Sequence, residues 1–541
     1  MRSAATGSAA HRVAGAAALI AGITVLARIA GFGRTVVFLR TAGLGCVGGT
    51  YQTANAVPNI LYEIVAGGAL ASLVIPLLAP AVGAGRRDLV ARTASALMTW
   101  AVLALTPLAV LAAVFARPIV GVLLGGSTCA GALDLGSRML VVFAPQIVLY
   151  GVGVVLTGLL QSHERFAGPA LAPLLSSLAV IAAYLVYRVE TGGPGAGVTA
   201  GGISRTAELT LSVGTTLGVV VLSLSLLVPL RGLGLRLSPT LRFPPGAAAR
   251  ARRLAAAGVA VVGAQQASVA VAVRLANDGV PAATYQVYTT AMTVFLLPWA
   301  VLAVPLATSA FPRLAAQHGA GDLDGYRRTS ADAIRAALVV TLGATATLIA
   351  TAGPAARVLA QGAGGSGDVA ALADGISAFA FGLVGYGLVA VLSRALYARG
   401  EARGAAWAQV AGWAAVVAAD VVLVAALPTA DRVTALALGN AVGTTLAAGA
   451  LLVVLVRRCG ATAAAGAART GCGAVLAAGS ATVAGRALAD AWDSGGVAVA
   501  VVQAGVVAMV TLAVFAGFAW PVVSRDVRRL LRRPTVSAGW C

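Results

Sequence analysis

TVLARIAGFGRTVVFLRTAGLGCVGGTYQTANAVPNILYEIVAGGALASLVIPLLAP, residues 24–80, decides how this chain is read. Its apolar runs have the length of two bilayer-spanning helices. They nevertheless carry Arg28, Arg34, Arg40, Asn55, Asn59 and Glu63 at or near membrane depth. A charged side chain at the centre of a bilayer helix costs roughly 2.5–3.5 kcal/mol on insertion scales. Arg28 lies near the middle of its run, so something must offset that cost. The expected offset is a water-filled, protein-lined cavity, which the rest of the chain builds and moves.

The surrounding composition supports a membrane setting. The chain has 541 residues, 59% hydrophobic and only 10% charged, with a mean hydropathy of +0.92. A soluble domain carries about 25% charge. Apolar runs recur from end to end without the alternation of a transmembrane barrel, so the expected class is an all-α polytopic membrane protein. The formal net charge of +20 comes entirely from arginine, with no lysine present. In such a chain this excess reads as cytoplasmic-loop arginine and not as nucleic-acid binding. The cysteines, Cys46, Cys129, Cys459, Cys472 and Cys541, form no CxxC pair, so neither a zinc site nor a redox motif is supported. The N-terminal run continues past signal-peptide length and is read as a retained first span.

About fourteen transmembrane helices are expected, roughly 14–41, 50–80, 93–123, 138–160, 170–188, 209–230, 254–276, 283–311, 332–352, 371–397, 404–426, 433–456, 471–489 and 496–523. Alternate loops collect arginine: Arg86, Arg87 and Arg92; Arg165; Arg231 to Arg253; Arg313 to Arg335; Arg399 and Arg403; Arg457, Arg458 and Arg469. The opposite loops hold Asp134, Glu190, Asp278, Asp368, Asp431, Asp490 and Asp493. The positive-inside rule then places both termini in the cytoplasm of a plasma-membrane protein.

An internal repeat is visible. Residues 74–92 resemble 309–328, with Pro76 and Pro312 separated by 312 − 76 = 236 positions, and 157–161 falls on 393–397 at the same offset. The expected architecture is two pseudo-symmetric six-helix lobes around a central cleft, plus two C-terminal helices. The expected boundaries are 1–230 for the first lobe and 231–253 for a basic linker lying on the anionic leaflet. The second lobe then covers 254–456, the last two spans 457–523, and a basic tail 524–541.

Several polar groups could line the cleft. Arg28 and Arg34 are six residues apart, roughly 120° off one face of an ideal helix, and Gly31 and Gly33 offer a place to bend. Guanidinium forks match phosphate oxygens bidentately, so such a pair suggests a phosphate-bearing lipid head group. A structural ion pair with another helix is the alternative. Asn55, Asn59 and Glu63, spaced i, i+4, i+8, share one helix face, and Pro58 loosens the same turn. Glu63 could pair with an arginine, bind a cation or take up a proton. Arg274, at the end of the seventh span, could face the same cleft or reach the outer surface. Pro298 and Pro305 are expected to bend span eight. No HExxH, GxSxG or Walker A sequence occurs, and His11, His163 and His318 form no metal cluster, so neither an enzyme nor a metal or cofactor site is indicated.

These segments resemble the MurJ/MviN lipid II flippases of the MATE-like exporter superfamily. The resemblance is carried by RIAGFGR at 28–34, ANAVPNILYE at 54–63, LLQSHERF at 159–166, PALAP at 169–173, LPWAVLAVPLATSAFPRL at 297–314 and SRALYA at 393–398. It implies a flippase carrying undecaprenyl-diphosphate-linked peptidoglycan precursor from the inner to the outer leaflet. It also implies first-span arginines, Arg28 and Arg34, that engage the diphosphate, and a groove for the lipid tail formed by 471–523. The chain departs from the usual pattern at Thr35, Gly49, Tyr62, Glu63, Gly67 and Thr293, and Tyr62-Glu63 is similar to the actinobacterial branch. The energy source implied is the membrane potential or a coupling ion. Alternative readings are an exporter of another polyprenyl-linked glycan, a cation-coupled drug antiporter, or a scaffold recruiting cell-wall synthesis proteins.

Overall fold

The computed structural model describes the backbone of residues 2–65, 67, 71–192, 199–243, 247–360, 363, 366–492 and 496–531. It describes their side chains except at 2–21, 71–73, 247–258, 366–367 and 522–531. Most of the basic tail, residues 193–198 and linker residues 244–246 lie outside the described residues.

Among the described residues the chain is helical, without a strand. It divides into two compact units, Met1–Gln286 with Gly362–Gly365, and Val287–Gln361 with Ser366–Cys541. The first unit holds α1 (Arg2–Thr41), α2 (Cys46–Glu63), α3 (Ala71–Gly83), α4 (Arg87–Val114), α5 (Ala116–Leu124), α6 (Ala132–Phe143), α7 (Pro145–Ser162), α8 (Ala167–Glu190), α9 (Arg205–Leu224), α10 (Leu227–Arg231) and α11 (Ala247–Asn277). Helix α12 (Ala283–Pro298) crosses the boundary. The second unit continues with a π-helical turn at Trp299–Ala303, then α13 (Val304–Gly319), α14 (Leu323–Ala360), α15 (Ser366–Phe381), α16 (Leu383–Ala398), α17 (Ala402–Ala426), α18 (Arg432–Cys459), α19 (Ala467–Asp490) and α20 (Val497–Leu531).

By length and composition, 13 helical stretches among the described residues could cross a membrane. Over the region expected as a single second span, α2 is followed by π-helical residues 64, 65 and 67 and then by the shorter α3, while 66 and 68–70 lie outside the described residues. Span eight changes register between its prolines: the π-helical turn follows Pro298 and ends just before Pro305. Proline lacks the N–H that would continue the α-helical ladder, which explains the position of the change.

The core of the first unit is an aromatic knot. Phe38 packs on Tyr51 with ring centroids 4.9 Å apart, and the Tyr51 hydroxyl lies 2.8 Å from that of Tyr184 and 2.7 Å from the hydroxyl of Thr215. Buried hydroxyls hold such geometry because an unmade hydrogen bond in an apolar core is costly. Glu208 on α9, 1% exposed, is held by Arg138 through bonds of 2.9 and 2.7 Å and by a further ion pair to Arg205. A disulfide joins Cys46 to Cys129.

Helix α11, expected in the second lobe, packs within the first unit against α2, α3 and α5. The reason lies at its C-terminus. Asn277 Nδ2 donates to Thr53 Oγ1 at 3.0 Å and to the Leu123 carbonyl at 3.2 Å, and Thr128 N donates to the Val280 carbonyl. The preceding linker also differs from expectation. Leu233, Leu235, Leu237 and Phe243 pack onto the α3–α4–α7 core, while the backbone N–H groups of Ser238 and Thr240 donate to Ser95 and Thr99 on α4. Leu233, Leu235 and Leu237 thus cover protein, while Leu241 stays exposed.

The repeat persists in the helix ends. Gly83 and Gly319 end α3 and α13, Ser162 and Ala398 end α7 and α16, and Glu190 and Ala426 end α8 and α17. Each pair is separated by 236 positions: 319 − 83, 398 − 162 and 426 − 190.

Candidate functional site

Helix α1 packs along α8, and its segment from Gly22 to Arg34 is largely uncovered within its own unit. Arg28 and Arg34 are both exposed. Among the described residues neither makes an ion pair, so the structural-pair alternative finds no carboxylate here. The helix runs uninterrupted through Gly31 and Gly33, and a Cβ at either would meet nothing within 4 Å. Without a break in the helix the two guanidiniums keep their angular separation of roughly 120°. Arg34 lies within Coulombic range of the hydroxyls of Tyr51, Tyr150 and Tyr184.

Helix α2 supplies the adjoining wall. It stays helical through Pro58, so Asn55, Asn59 and Glu63 keep the common face that their spacing implied. Asn55 is half-buried, and its Oδ1 has no hydrogen-bond partner among the described residues. Asn59 Oδ1 accepts from the Tyr150 hydroxyl at 3.2 Å. Tyr62 stacks near Tyr150 with ring centroids 4.3 Å apart. Glu63, exposed at the end of α2, has no ion pair among the described residues.

Tyr62, Glu63, Tyr150, Thr157 and Ser223 line one cavity of about 360 Å³ within this unit. It has hydroxyls, a carboxylate and aromatic faces, and the charge of Arg34 bears on the Tyr150 hydroxyl in its wall. This arrangement can present cationic and hydroxyl donors to an anion and aromatic faces to a sugar or polyprenyl group.

Arg274 lies elsewhere. Its guanidinium pairs with Asp278 at 2.8 Å, at the end of α11 and against Gly125. Sequence reasoning placed it as a possible cleft residue but did not resolve that pairing. It also passed over Tyr150, whose signal was a hydroxyl within an apolar run, and Asp420, a lone acid inside the eleventh expected span. Asp420 is 1% exposed, and neither carboxyl oxygen has a hydrogen-bond partner among the described residues. No group of three or more His, Cys, Asp or Glu that could hold a metal occurs among the described residues.

Residues 40–519 match the family model described as "MurJ: Lipid II flippase MurJ". The match begins after Arg28 and Arg34. Curated relatives include "Lipid II flippase MurJ" of Burkholderia cenocepacia, 25% identical over 389 residues, covering 70% of this chain and 72% of the relative. Another is "Probable lipid II flippase MurJ" of Vibrio cholerae, 24% identical over 404 residues, covering 71% and 72%. Among solved structures, "Lipid II flippase MurJ, inward closed conformation" aligns with a TM-score of 0.74 at 16% identity, covering 94% of this chain and 100% of that one. A multidrug resistance MATE family transporter in an inward-facing conformation aligns with a TM-score of 0.63 at 15% identity, covering 81% and 95%. At these identities the structural matches show the fold.

Proposed function

The chain belongs to the lipid II flippase MurJ family, and on that premise we propose that it moves a polyprenyl-diphosphate-linked peptidoglycan precursor from the inner to the outer leaflet of the bacterial plasma membrane. The observation carrying the reading is the pair of exposed arginines on α1, with no carboxylate partner among the described residues. An anionic cargo offsets their cost at membrane depth, because guanidinium forks match phosphate oxygens. Arg34, Asn59, Tyr62 and Tyr150 receive the diphosphate, Glu63 accepts from hydroxyls of its first sugar, and Arg28 guides its entry. Helices α19 and α20 accommodate the tail. Translocation proceeds by alternating access of the two lobes, with both termini cytoplasmic, as the arginine-rich loops support. An inside-negative potential favours outward passage of an anion, by about 2.3 kcal/mol per charge per 100 mV.

Depletion in the host tests this reading. Lipid-linked peptidoglycan precursor accumulates on the inner leaflet, and a plasmid copy carrying Arg34→Ala fails to relieve the accumulation. Full relief by that variant contradicts the reading. A second reading, cation-coupled export of another solute, is favoured by a Glu63 carboxylate that makes no ion pair among the described residues. In that case Glu63→Gln abolishes ion-coupled efflux and spares cell-wall synthesis.

A further inference from the structure

A larger cavity lies in the second unit, away from the residues assigned to the diphosphate. Its volume is about 680 Å³, and its lining includes Ile349, Pro354 and Arg357 of α14, Arg486 and Asp490 of α19, and Trp492. Arg357 lies three residues before the end of α14 at Ala360, and Arg486 four before the end of α19 at Asp490. Helix ends are where a spanning protein meets lipid head groups, and tryptophan is enriched at that level.

The two arginines are held differently. Arg357 donates from one terminal nitrogen to Gln503 Oε1 at 2.9 Å. Gln503 is fully buried, and its amide donates to the carbonyls of Ala489 and Trp492 at 2.8 and 2.9 Å. This chain of bonds fixes Arg357 relative to the α19–α20 turn. Arg357 Nε is buried without a hydrogen-bond partner among the described residues. Arg486 is exposed and makes one long bond, 3.4 Å, to Ser377 Oγ. Among the described residues neither guanidinium forms an ion pair, although Asp490 shares the cavity wall. Two cations and one carboxylate leave the lining with an excess of one positive charge.

We propose that this cavity is a lipid-phosphate site: Arg357 and Arg486 grip a phosphate at head-group level while Ile349 and Pro354 receive the first carbons of its chain. A guanidinium with unused donors, beside a second one with no carboxylate partner, matches a phosphate better than it matches water alone. The volume falls within the roughly 300–1,000 Å³ usual for small-molecule sites. The chemistry is shared by two sources, a resident anionic phospholipid and a polyprenyl diphosphate. Arg486 and Asp490 lie on α19, one of the two helices assigned above to the tail, but the site contains none of the residues assigned to the diphosphate, so its failure and the failure of that assignment are separable.

The test measures lipid retention by the purified full-length chain in detergent, using phosphatidylglycerol, undecaprenyl diphosphate and, as a phosphate-free control, diacylglycerol. It is run in the Arg34→Ala background so that the first unit does not mask the result. Arg486→Gln, which leaves the Gln503 network intact, weakens retention several-fold, and the double variant with Arg357→Gln weakens it about tenfold or more, with diacylglycerol unaffected. A loss confined to phosphatidylglycerol assigns the site to bulk lipid, and one confined to undecaprenyl diphosphate assigns it to cargo; either supports the proposal. Unchanged retention of both phosphate lipids in Arg486→Gln and in a folded double variant overturns it, as does an equal loss of diacylglycerol.

Discussion

Glu164 and Gly400 occupy the same place in the two halves: they are 400 − 164 = 236 residues apart, and both are left-handed, with φ of 59° and 76°. Each follows a helix end closed by the same bond, Arg165 N to the Leu160 carbonyl at 2.9 Å and Glu401 N to the Leu396 carbonyl at 3.0 Å. This is the six-to-one closure of a Schellman cap, which favours glycine at the left-handed position. Gly85 and Gly321 repeat the arrangement at the same offset, with φ of 66° and 72°. Glu164 is the exception, and among the described residues it alone is a non-glycine with positive φ. Glu164→Gly is therefore expected to raise stability by about 0.5–1 kcal/mol and Gly400→Ala to lower it by about 1 kcal/mol. Thermal unfolding of the detergent-solubilised protein reads both.

Glu208 is the buried member of a three-residue ion network whose arginines stay largely exposed. Losing the carboxylate costs charge-assisted hydrogen bonds but leaves both guanidiniums hydrated. Glu208→Gln should destabilise by about 1.5–3 kcal/mol. Arg205→Ala should cost less, because the two-point grip of Arg138 remains. Chemical unfolding of the three proteins ranks them.

The Cys46–Cys129 disulfide closes a sequence separation of 83 residues between the start of α2 and the loop before α6. Under the proposed orientation it faces the oxidising side of the membrane. Replacing both cysteines with serine should lower stability by about 2–4 kcal/mol. A reducing agent should shift the unfolding of the native protein and leave the variant unchanged.

Asp420 presents a different balance. Its carboxyl is pressed against α18, where a Cβ added to Gly439 would lie 2.0 Å from its Oδ1. A buried polar group without a hydrogen bond costs about 1–3 kcal/mol. Asp420→Ala removes that cost at the expense of a small void, so stability should hold or rise. Gly439→Ala should destabilise. Unfolding of each variant in detergent tests the packing, and a large loss in Asp420→Ala would show that the carboxyl has a stabilising partner.

Much of the fold could be read from the chain because bilayer spans are long apolar runs and the repeat keeps a constant offset. The shared face of Asn55, Asn59 and Glu63 follows from helical periodicity alone, and α2 keeps it through Pro58. What escaped depends on partners distant in sequence. The bond from Asn277 to Thr53 places α11 with the first unit, and it joins residues that no local pattern connects. The same holds for Cys46 with Cys129, for Tyr150 with Asn59, and for Arg357 with Gln503.

In the proposed cycle Arg34 on α1 meets the diphosphate of the cargo. Reconstitution into vesicles, scoring the fraction of a lipid-linked diphosphate substrate that reaches the opposite leaflet, tests it most directly. Arg34→Ala is expected to slow transfer by about tenfold or more, because a charge-assisted phosphate contact is lost. Arg34→Lys retains part of the rate, and Arg274→Ala, whose guanidinium is engaged with Asp278, transfers like the native protein. A folded Arg34→Ala protein that moves the substrate at the native rate contradicts it.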